Sequence, residues 1–493
     1  MIPLKYDPTR LEELGALFRT REAEEKIDPL TMKKFVVGQN RIFEAPAILR
    51  AVAGEEMKRV LIVSDDTPIR RGETLFRELV SQLFREKGTL VETLILEAKG
   101  SGPLRADMEA VSAVKARIKP GAGLVGVGAG TISDICKYAA FLSRVEGPAS
   151  DRPPLLICQT ATSGSAFGSN QAVLFKDGVK RTLRAIYPDA VLADMEVLRD
   201  APRPLNLAGF ADTKAILVST VDWYASHLLG MADGYSEFMV DILTEAGRVL
   251  LEIGPPVGAM SPDGLETLAK ILVLLGIVSS MGYGTTPISG FEHMISHALD
   301  LESLATGRSP GLHGAQVGVG LAYASVAYRF FLQELSSQKI NFDQWYPPEG
   351  ESHAEVTRCF LPLDPNGRLT QEIWEHYREK LLLWEERKPR FRAFLEQWVS
   401  EGEFRHSLLR KLKQPEEIIG SLWVSGSPVL PERLSPPISA NLLKFAFLSA
   451  RFMRNRFIIA DMIGFQGLMN DRFWQRVTRE VERIAKGLRP QEL

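Results

Sequence analysis

The segment LVGVGAGTISDICK constrains the fold more than any other part of this chain. An apolar run at residues 124–127, typical of a buried strand, leads into Gly128, Ala129, Gly130 and Thr131, after which a helix pattern begins. A strand that turns through glycine into a helix brings backbone N–H groups up to a phosphate with no Cβ in the way. The turn is therefore a candidate pyrophosphate cradle, although steric reasons alone also place glycine in such turns.

Further apolar runs at residues 60–63, 90–96 and 155–158 read as strands, and they alternate with helix-period stretches. One such stretch, residues 105–119, repeats apolar side chains at helical spacing. Alternating strands and helices predict a parallel sheet covered by helices. After Pro204 the sequence becomes mostly helical. The fold class that we predict is an α/β domain with a parallel sheet, followed by an all-α domain.

Asp65 stands at the end of the run at residues 60–63. A carboxylate at the end of such a strand accepts hydrogen bonds from the adenosine ribose hydroxyls and repels a 2′-phosphate. This placement favours NAD(H) as the cofactor, with NADP(H) as the alternative. The structural alternative is an ordinary turn aspartate, which is common at strand ends.

Three of the seven histidines, His293, His297 and His313, fall in one stretch, and Asp212 closes a small-residue turn upstream. Histidine and carboxylate are the ligand types that hold a divalent metal while leaving a position open for substrate. On a helix, His293 and His297 are four residues apart and project from one face. Packed or surface histidines are the structural alternative for such a pair taken alone.

With 493 residues, the chain is longer than a typical single core. We predict an α/β dinucleotide-binding domain at residues 1–200 and a helical metal- and substrate-binding domain at residues 201–493. A further segment around residues 340–440 is predicted to be an insertion. We expect the active site to lie where the two domains meet.

The order and spacing of these segments resemble a known family. The segments are the strand ending in Asp65, VGVGAGTISDICK, TATSGSAFGS, AGFAD with VDW beyond it, GFEHMISH and LHGAQVG. Together they resemble the metal-dependent polyol dehydrogenases related to glycerol dehydrogenase, and most closely the sn-glycerol-1-phosphate dehydrogenases. The similarity runs from about residue 35 to RNRFIIADMIGFQG, and it implies a dehydroquinate synthase-like fold.

The resemblance also implies roles for individual residues. It implies that Asp212, His293 and His313 bind the metal, with Zn²⁺ the usual occupant and Ni²⁺ or Fe²⁺ as alternatives, and that His297 lies near the substrate and relays a proton. It places two groups around the cofactor: Gly128, Ala129, Gly130, Thr131 and Asp134 at the phosphates, and Thr160, Ser163 and Ser169 on the nicotinamide side.

One position departs from the family pattern. Where glycerol-1-phosphate dehydrogenases carry an aspartate that contacts substrate, this chain has Ser165. A serine hydroxyl still forms a hydrogen bond, but it carries no charge and reaches less far. The TSGSA segment is also similar to the corresponding turn of the broader iron-type alcohol dehydrogenases. The expected substrate is therefore either glycerone phosphate or another ketone or aldehyde.

The parts predict hydride transfer between a nicotinamide cofactor and a carbonyl polarised by a divalent metal. A cyclase of the dehydroquinate synthase type is a rival hypothesis. In that family a glutamate stands where this chain has Asp212, and a lysine-rich D-A-S-V-G-G-K segment is present that is absent here. A non-catalytic binding protein on the same fold is the second rival, and it predicts that no metal is bound.

Composition restricts the other function classes. A net charge of −2 gives no general electrostatic reason to bind nucleic acid or an anionic membrane. Three cysteines without a C-x-x-C pair, an N-terminal stretch without the apolar core of a secretory signal, and no apolar run long enough to cross a bilayer predict a cytoplasmic protein with reduced thiols. By likeness to the family we expect a small, phosphorylated ketone or alcohol as substrate, and a homo-oligomer.

Overall fold

The computed structural model describes residues 2–21, 27–53, 57–98, 104–146, 152–176, 179–335 and 342–488. The chain separates into two compact units: Met1–Thr213 with Pro255–Gly284, and Lys214–Gly254 with Thr285–Leu493. The functional division at residue 200 and the insertion at residues 340–440 stay predictions.

The strands are β1 (Lys34–Gly38), β2 (Arg59–Asp65), β3 (Arg70–Arg71), β4 (Thr74–Leu75), β5 (Leu90–Leu96), β6 (Ala122–Gly128), β7 (Leu155–Gln159), β8 (Gln171–Lys176), β9 (Val179–Arg184) and β10 (Ala190–Asp194). The helices are α1 (Leu11–Arg19), α2 (Ala45–Ala53), α3 (Phe76–Glu86), α4 (Met108–Arg117), α5 (Gly130–Glu146), α6 (Met195–Asp200), α7 (Arg203–Thr213), α8 (Ile216–Leu228), α9 (Glu237–Glu252), α10 (Gly254–Gly258), α11 (Pro262–Ser279), α12 (Phe291–Thr306), α13 (His313–Leu335), α14 (Glu349–Phe360), α15 (Arg368–Glu386), α16 (Lys388–Ser400), α17 (Gly402–Lys411), α18 (Pro415–Ser425), α19 (Ala440–Ser449), α20 (Ile459–Phe465) and α21 (Asp471–Gly487).

The first unit is built on a six-stranded sheet with the order β1-β10-β7-β6-β2-β5, in which every neighbouring pair is parallel. This confirms the predicted parallel α/β sheet. From β2 the chain moves outward to β5, whereas from β6 it moves through β7 towards β10 on the other side. The direction of winding therefore reverses between β2 and β6, and the crevice at the carboxyl ends of such a pair is where ligands bind in open α/β sheets.

The sheet is held in place by buried apolar contacts with the helices packed on it. The strands β6, β7 and β10 are buried along their whole length. Side chains of β2 such as Val60 and Ile62 pack with Ile48 of α2 and with Phe76 and Val80 of α3. Continuous burial is what the unbroken apolar runs of these strands require, because helices cover both faces of a parallel sheet.

The apolar stretch near residues 271–282 forms part of α11, which is buried throughout its second half. The helix begins with the Ser261 side chain accepting from Gly264 N at 3.1 Å, and Pro262 occupies its first turn. By its contacts α11 belongs to the first unit.

The second unit is helical, as predicted for the sequence after residue 200. Trp384 and Trp398 are buried in it, and Trp384 packs on Phe391 and Phe457 with ring centroids 4.6 and 5.2 Å apart. These tryptophans are therefore core residues of this unit. In the described part of the chain we find no helix that is both long enough and apolar enough to span a membrane.

Candidate functional site

The carboxyl ends of β2 and β6 lie side by side at the point where the winding reverses. Ser64 pairs with Val127, so Asp65 and Gly128 stand at the same edge of the sheet. The Asp65 carboxylate is partly buried and accepts from the backbone N–H of Thr67 at 3.2 Å. Burial raises the pKa of Asp65, and the hydrogen bonds from Thr67 partly oppose this. The carboxylate proposed for the ribose and the proposed phosphate turn thus occupy adjacent strands.

Different physical arguments apply to the presence of glycine at positions 128 and 130 of the turn. A Cβ on Gly128 would lie 2.5 Å from Cγ1 of Ile132, so packing alone demands glycine there. A Cβ on Gly130 would meet nothing closer than Ala166 at 3.6 Å, an ordinary contact. Gly130 is the first residue of α5, whose first turn contains no acidic side chain. Packing therefore does not require glycine at Gly130, and the helix N-terminus there has the geometry expected of a site for an anion.

Asp134 and Lys137, one helical turn apart on α5, form a buried ion pair at 2.9 Å. Asp134 also accepts from the backbone N–H of Val173 in β8 at 3.1 Å. The Lys137 ammonium donates to the carbonyl oxygens of Ala166, at 2.6 Å, and Gln171, and burial lowers the pKa of Lys137. Both charged groups therefore tie α5 to the segment that follows β7.

That segment, residues 160–169, carries the side chains expected on the nicotinamide side. The backbone N–H of Thr160 donates to the carbonyl oxygen of Gly128 at 3.3 Å, which anchors Thr160 to the glycine turn. Ser169 is buried and accepts from Lys137 at 3.1 Å, so its hydroxyl is held by the protein. Ser163 and Ser165 are partly exposed. Of the serines in this segment, Ser163 and Ser165 are therefore those available to a ligand.

Three glycines allow residues 160–169 and the helices α7 and α11 to pack closely together. A Cβ on Gly276 of α11 would lie 2.4 Å from the carbonyl oxygen of Ser165, and one on Gly168 would lie 2.2 Å from that of Val273. A Cβ on Gly209 of α7 would lie 1.7 Å from the carbonyl oxygen of Thr162. Helices can approach a backbone this closely only where the side chain is absent. The glycine of AGFAD therefore has a packing role.

Replacing Gly209 with alanine is expected to destabilise the first unit by about 1–3 kcal/mol, because the new Cβ must displace a backbone carbonyl. Gly15→Ala in α1 is the matched control, since a Cβ there lies 3.5 Å from the nearest atom, on Arg19. We expect the control to be stabilised by about 0.5–1 kcal/mol because alanine is the better helix former. Urea unfolding of both variants measures the difference, and equal stabilities would contradict the close contact.

The second unit brings the three histidines together. His293 and His297 lie on α12, as the spacing predicts, and His313 is the first residue of α13. The ring centroid of His313 is 5.3 Å from that of His293 and 5.7 Å from that of His297. The helices meet closely here because Gly320 of α13 faces the Glu292 carbonyl oxygen, where a Cβ would be only 2.6 Å away. The three imidazoles can therefore act on one small ligand.

Hydrogen bonds occupy Nδ1 of two of these rings. His293 Nδ1 lies 3.0 Å from Glu292 Oε1, an atom that also accepts from Gly290 N at 2.7 Å. His313 Nδ1 lies 2.9 Å from the hydroxyl of Ser296, which donates at 2.8 Å to Gln316 Oε1. The Ser296 hydroxyl donates elsewhere and therefore accepts from the His313 ring, and a carboxyl oxygen of Glu292 is an acceptor for the His293 ring, so both contacts fit the tautomer with its proton on Nδ1. In that tautomer Nε2 carries no proton and is the nitrogen with which each ring would bind a metal.

The start of α12 is fixed from α8 by Asp222, the acid of the VDW motif. Its carboxylate accepts from Phe291 N at 3.1 Å, Tyr328 Oη at 2.6 Å and Ile459 N at 2.7 Å. Burial, and then the nearby charge of Glu292, raise the pKa of Asp222 to about 8. Asp222 therefore joins four helices around the histidine cluster.

Two carboxylates bear on metal binding. Asp300, also on α12, forms a group with His297 and His313 in which one ligand atom of each lies within 4.8 Å of the others. Asp212 lies in the last turn of α7, in the first unit, and is partly buried. Imidazole with carboxylate is a donor set that suits Zn²⁺ and related divalent metals. The donor chemistry thus fits the implied metal.

Sequence reasoning missed Glu292, Ser296 and Asp300. Glu292 directly precedes the proposed ligand His293 in the motif GFEHMISH, and this position is its only local sequence signal. Ser296 faces His313 across a change of helix, so no local pattern predicts the contact. Asp300 follows His297 by three residues, a spacing that places both on one helix face.

The fold and the site define a class: an α/β unit with a glycine turn at the edge of a parallel sheet, together with a helical unit that carries a histidine cluster of the donor type that suits a divalent metal. Comparisons with known proteins agree. A family model described as iron-containing alcohol dehydrogenase matches residues 36–202. The glycerol dehydrogenase of Schizosaccharomyces pombe has a similar fold, with a TM-score of 0.55, 13% identity, and coverage of 93% of this chain and 94% of that one.

Relatives extend the match beyond the first unit. The chain is 29% identical over 357 residues to the glycerol-1-phosphate dehydrogenase (NAD(P)⁺) of Bacillus licheniformis, covering 70% of this chain and 85% of that protein. It is 30% identical over 314 residues to the enzyme of the same name from Bacillus subtilis, covering 63% and 75%. The chain therefore belongs to the iron-containing alcohol dehydrogenase family, and it is an NAD(P)-dependent dehydrogenase.

Proposed function

We propose that the protein interconverts glycerone phosphate and sn-glycerol 1-phosphate by hydride transfer with NAD(H). The observation that carries this proposal is the histidine cluster, in which the rings of His293, His297 and His313 lie together and Nδ1 of His293 and of His313 is engaged by Glu292 and Ser296. The names of the relatives support the substrate. A homo-oligomer stays a prediction.

The proposed metal ligands are Asp212, His293 and His313, with Zn²⁺ as the expected ion and Ni²⁺ or Fe²⁺ as alternatives. When bound, such an ion acts as a Lewis acid towards the substrate oxygen. The role proposed for the protein's own residues is to hold the imidazoles of His293 and His313 with Nε2 unprotonated. The hydrogen-bond contacts of Nδ1 in both rings support this role.

The proposed cofactor site follows the carboxyl edge of β2, β6 and β7. NAD(P)H supplies the hydride when bound. The backbone N–H groups at Gly130 and Thr131 are proposed to bind the phosphates, and Asp65 the ribose. Thr160 and Ser163 are proposed to line the nicotinamide side. For Asp134 and Ser169, the bonds to Lys137 support an indirect role that shapes the site.

Replacing Asp65 with serine is expected to raise the ratio of kcat/KM for NADPH over NADH by about 10- to 100-fold, because charged hydrogen bonds to the ribose are lost and repulsion of the 2′-phosphate is relieved. Asp66→Ser is the matched control, since Asp66 is exposed and adjacent. Initial rates with both cofactors measure the ratio. An unchanged ratio in Asp65→Ser would remove Asp65 from the cofactor site.

His297 is proposed to relay the proton that accompanies hydride transfer. His297→Asn is expected to lower kcat by about 100-fold or more, which is typical for loss of a general acid or base. Its zinc content should stay at the level of the unsubstituted protein, because His297 is outside the proposed ligand set. Loss of zinc would instead favour a metal held by His297, Asp300 and His313.

Ser165 favours a second candidate, an iron-type dehydrogenase acting on another ketone or aldehyde. Its side chain is partly exposed and carries no charge at the position where the resembling family has an aspartate. NADH oxidation by the zinc-loaded protein with glycerone phosphate, glycerone and a panel of simple ketones and aldehydes tests both candidates. Preference for the phosphate supports the first, and preference for another carbonyl compound supports the second.

A further inference from the structure

Glu292 is a fully buried acid that the proposed reaction has not used. Its Oε1 lies 3.0 Å from Nδ1 of His293 and accepts from the backbone N–H of Gly290 at 2.7 Å. Among the described residues, this histidine is the one basic side chain within ion-pair distance of its carboxyl group. A carboxylate oxygen that already accepts a backbone N–H is an acceptor for the imidazole N–H as well.

The carboxyl group has little freedom to leave this position. A Cβ on Gly290 would lie 3.0 Å from Glu292 Oε2 and 2.3 Å from Oδ2 of Asp222, and Gly320 packs on the backbone of Glu292. Gly290, Asp222 and Gly320 therefore enclose the side chain and its backbone. The ring of His293 is held against a fixed acceptor.

Two other charged side chains, Asp222 and Arg456, interact with Glu292 at this buried position. Burying a charge is unfavourable unless it is paired, and Glu292 lies close enough to Asp222 to raise the pKa of that acid. The buried guanidinium of Arg456 donates to the carbonyl oxygens of Ser289 and Thr285, and its charge also interacts with that of Glu292. A glutamine side-chain oxygen would accept the same two N–H groups without a charge, so the Glu292→Gln variant separates the effect of the charge from that of the hydrogen bonds.

We propose that Glu292 is the positioning residue of the metal centre, fixing His293 with its proton on Nδ1 and making Nε2 a stronger donor. The inference rests on the proposed function, because it takes His293 as a ligand. A carboxylate behind a histidine ligand sets its tautomer and ring orientation and raises its basicity, and losing such a partner costs about 10- to 100-fold in metal affinity.

The test measures the dissociation constant of Zn²⁺ by chelator competition, and the visible absorption spectrum of the Co²⁺-loaded protein. We expect Glu292→Gln to bind Zn²⁺ about 10-fold more weakly and Glu292→Ala about 100-fold more weakly, with a shifted Co²⁺ spectrum in both. The matched control is Glu302→Gln on the same helix, whose carboxylate pairs with Arg308 at 2.8 Å, and it should bind like the unsubstituted protein.

A merely structural residue would lose stability and metal together. We expect the thermal midpoint of metal-free Glu292→Gln to stay within about 4 °C of that of the metal-free parent. A lower midpoint with an unchanged Co²⁺ spectrum would overturn the proposal. Glu292→Asp, which keeps the charge but withdraws it from the ring, should also weaken Zn²⁺ binding, so the test survives if one variant fails to fold.

Failure of this inference can be told apart from failure of the proposed function. If Glu292→Gln and Glu292→Asp bind Zn²⁺ like the parent while His293→Ala loses it, Glu292 does not position the ligand and the metal centre stands. If His293→Ala also keeps full affinity, the proposed ligand set is wrong, and the inference falls with it.

Discussion

His313→Ala is expected to abolish stoichiometric Zn²⁺ binding and, with it, dehydrogenase turnover. Losing only the hydrogen-bond partner of a histidine ligand costs about 10- to 100-fold in metal affinity, so losing the ligand itself should cost more than about 100-fold. His313 is the central member of the cluster, with the rings of His293 and His297 5.3 and 5.7 Å away. Zinc content after dialysis, together with the rate of NADH oxidation, measures both losses.

His376→Ala is the matched control, because His376 is exposed on α15 and makes no part of the cluster. It should retain the zinc content and turnover of the unsubstituted protein. A His313→Ala protein that keeps zinc and turnover would contradict the metal centre as proposed. Loss of zinc in both variants would point to instability of the helical unit as the cause.

Lys137→Met is expected to give the largest loss of stability in the first unit. Removing one partner of a buried ion pair leaves an uncompensated charge, here that of Asp134, and typically costs about 3–5 kcal/mol. The variant also loses the donor to the carbonyl oxygen of Ala166 and the hydroxyl of Ser169. A fall of about 6–20 °C in the thermal midpoint follows, and KM for NADH should rise because residues 160–169 lose this anchor.

Two variants separate the buried pair from a general effect of losing a lysine. Lys119 pairs with Glu92 at 3.3 Å and is about half exposed, so Lys119→Met should cost no more than about 1 kcal/mol. Adding Asp134→Asn to Lys137→Met removes the unpaired carboxylate and should recover part of the stability. A double variant less stable than Lys137→Met would contradict the assignment of the loss to an unpaired charge.

Much of the first unit could be predicted from the sequence because its strands are long apolar runs. The runs at residues 60–63, 90–96, 124–127 and 155–158 correspond to β2, β5, β6 and β7. The remaining strands of the sheet, β1 and β10, were not predicted. Both strands are short. They pair in parallel with each other although most of the first unit's sequence lies between them, so no local sequence pattern predicts the pairing.

In the candidate site, too, local spacing could be predicted from the sequence, whereas contacts between separate elements could not. The spacing of His293 and His297 predicts one helix face, and α12 carries both. The contact of Ser296 with His313 and that of Asp134 with Val173 each join different elements, and only the folded chain brings them together. Glu292 was visible in the sequence, but its role depends on burial and on the direction of its carboxylate.

The measurement that tests the account most directly is the rate of NADH oxidation with glycerone phosphate by the protein as purified, after removal of metal by a chelator, and after Zn²⁺ is restored. We predict turnover that is lost with the metal and regained with Zn²⁺, because the histidine cluster is proposed to hold an essential ion. Turnover that continues undiminished in the metal-free protein would contradict the metal centre, and with it the proposed mechanism.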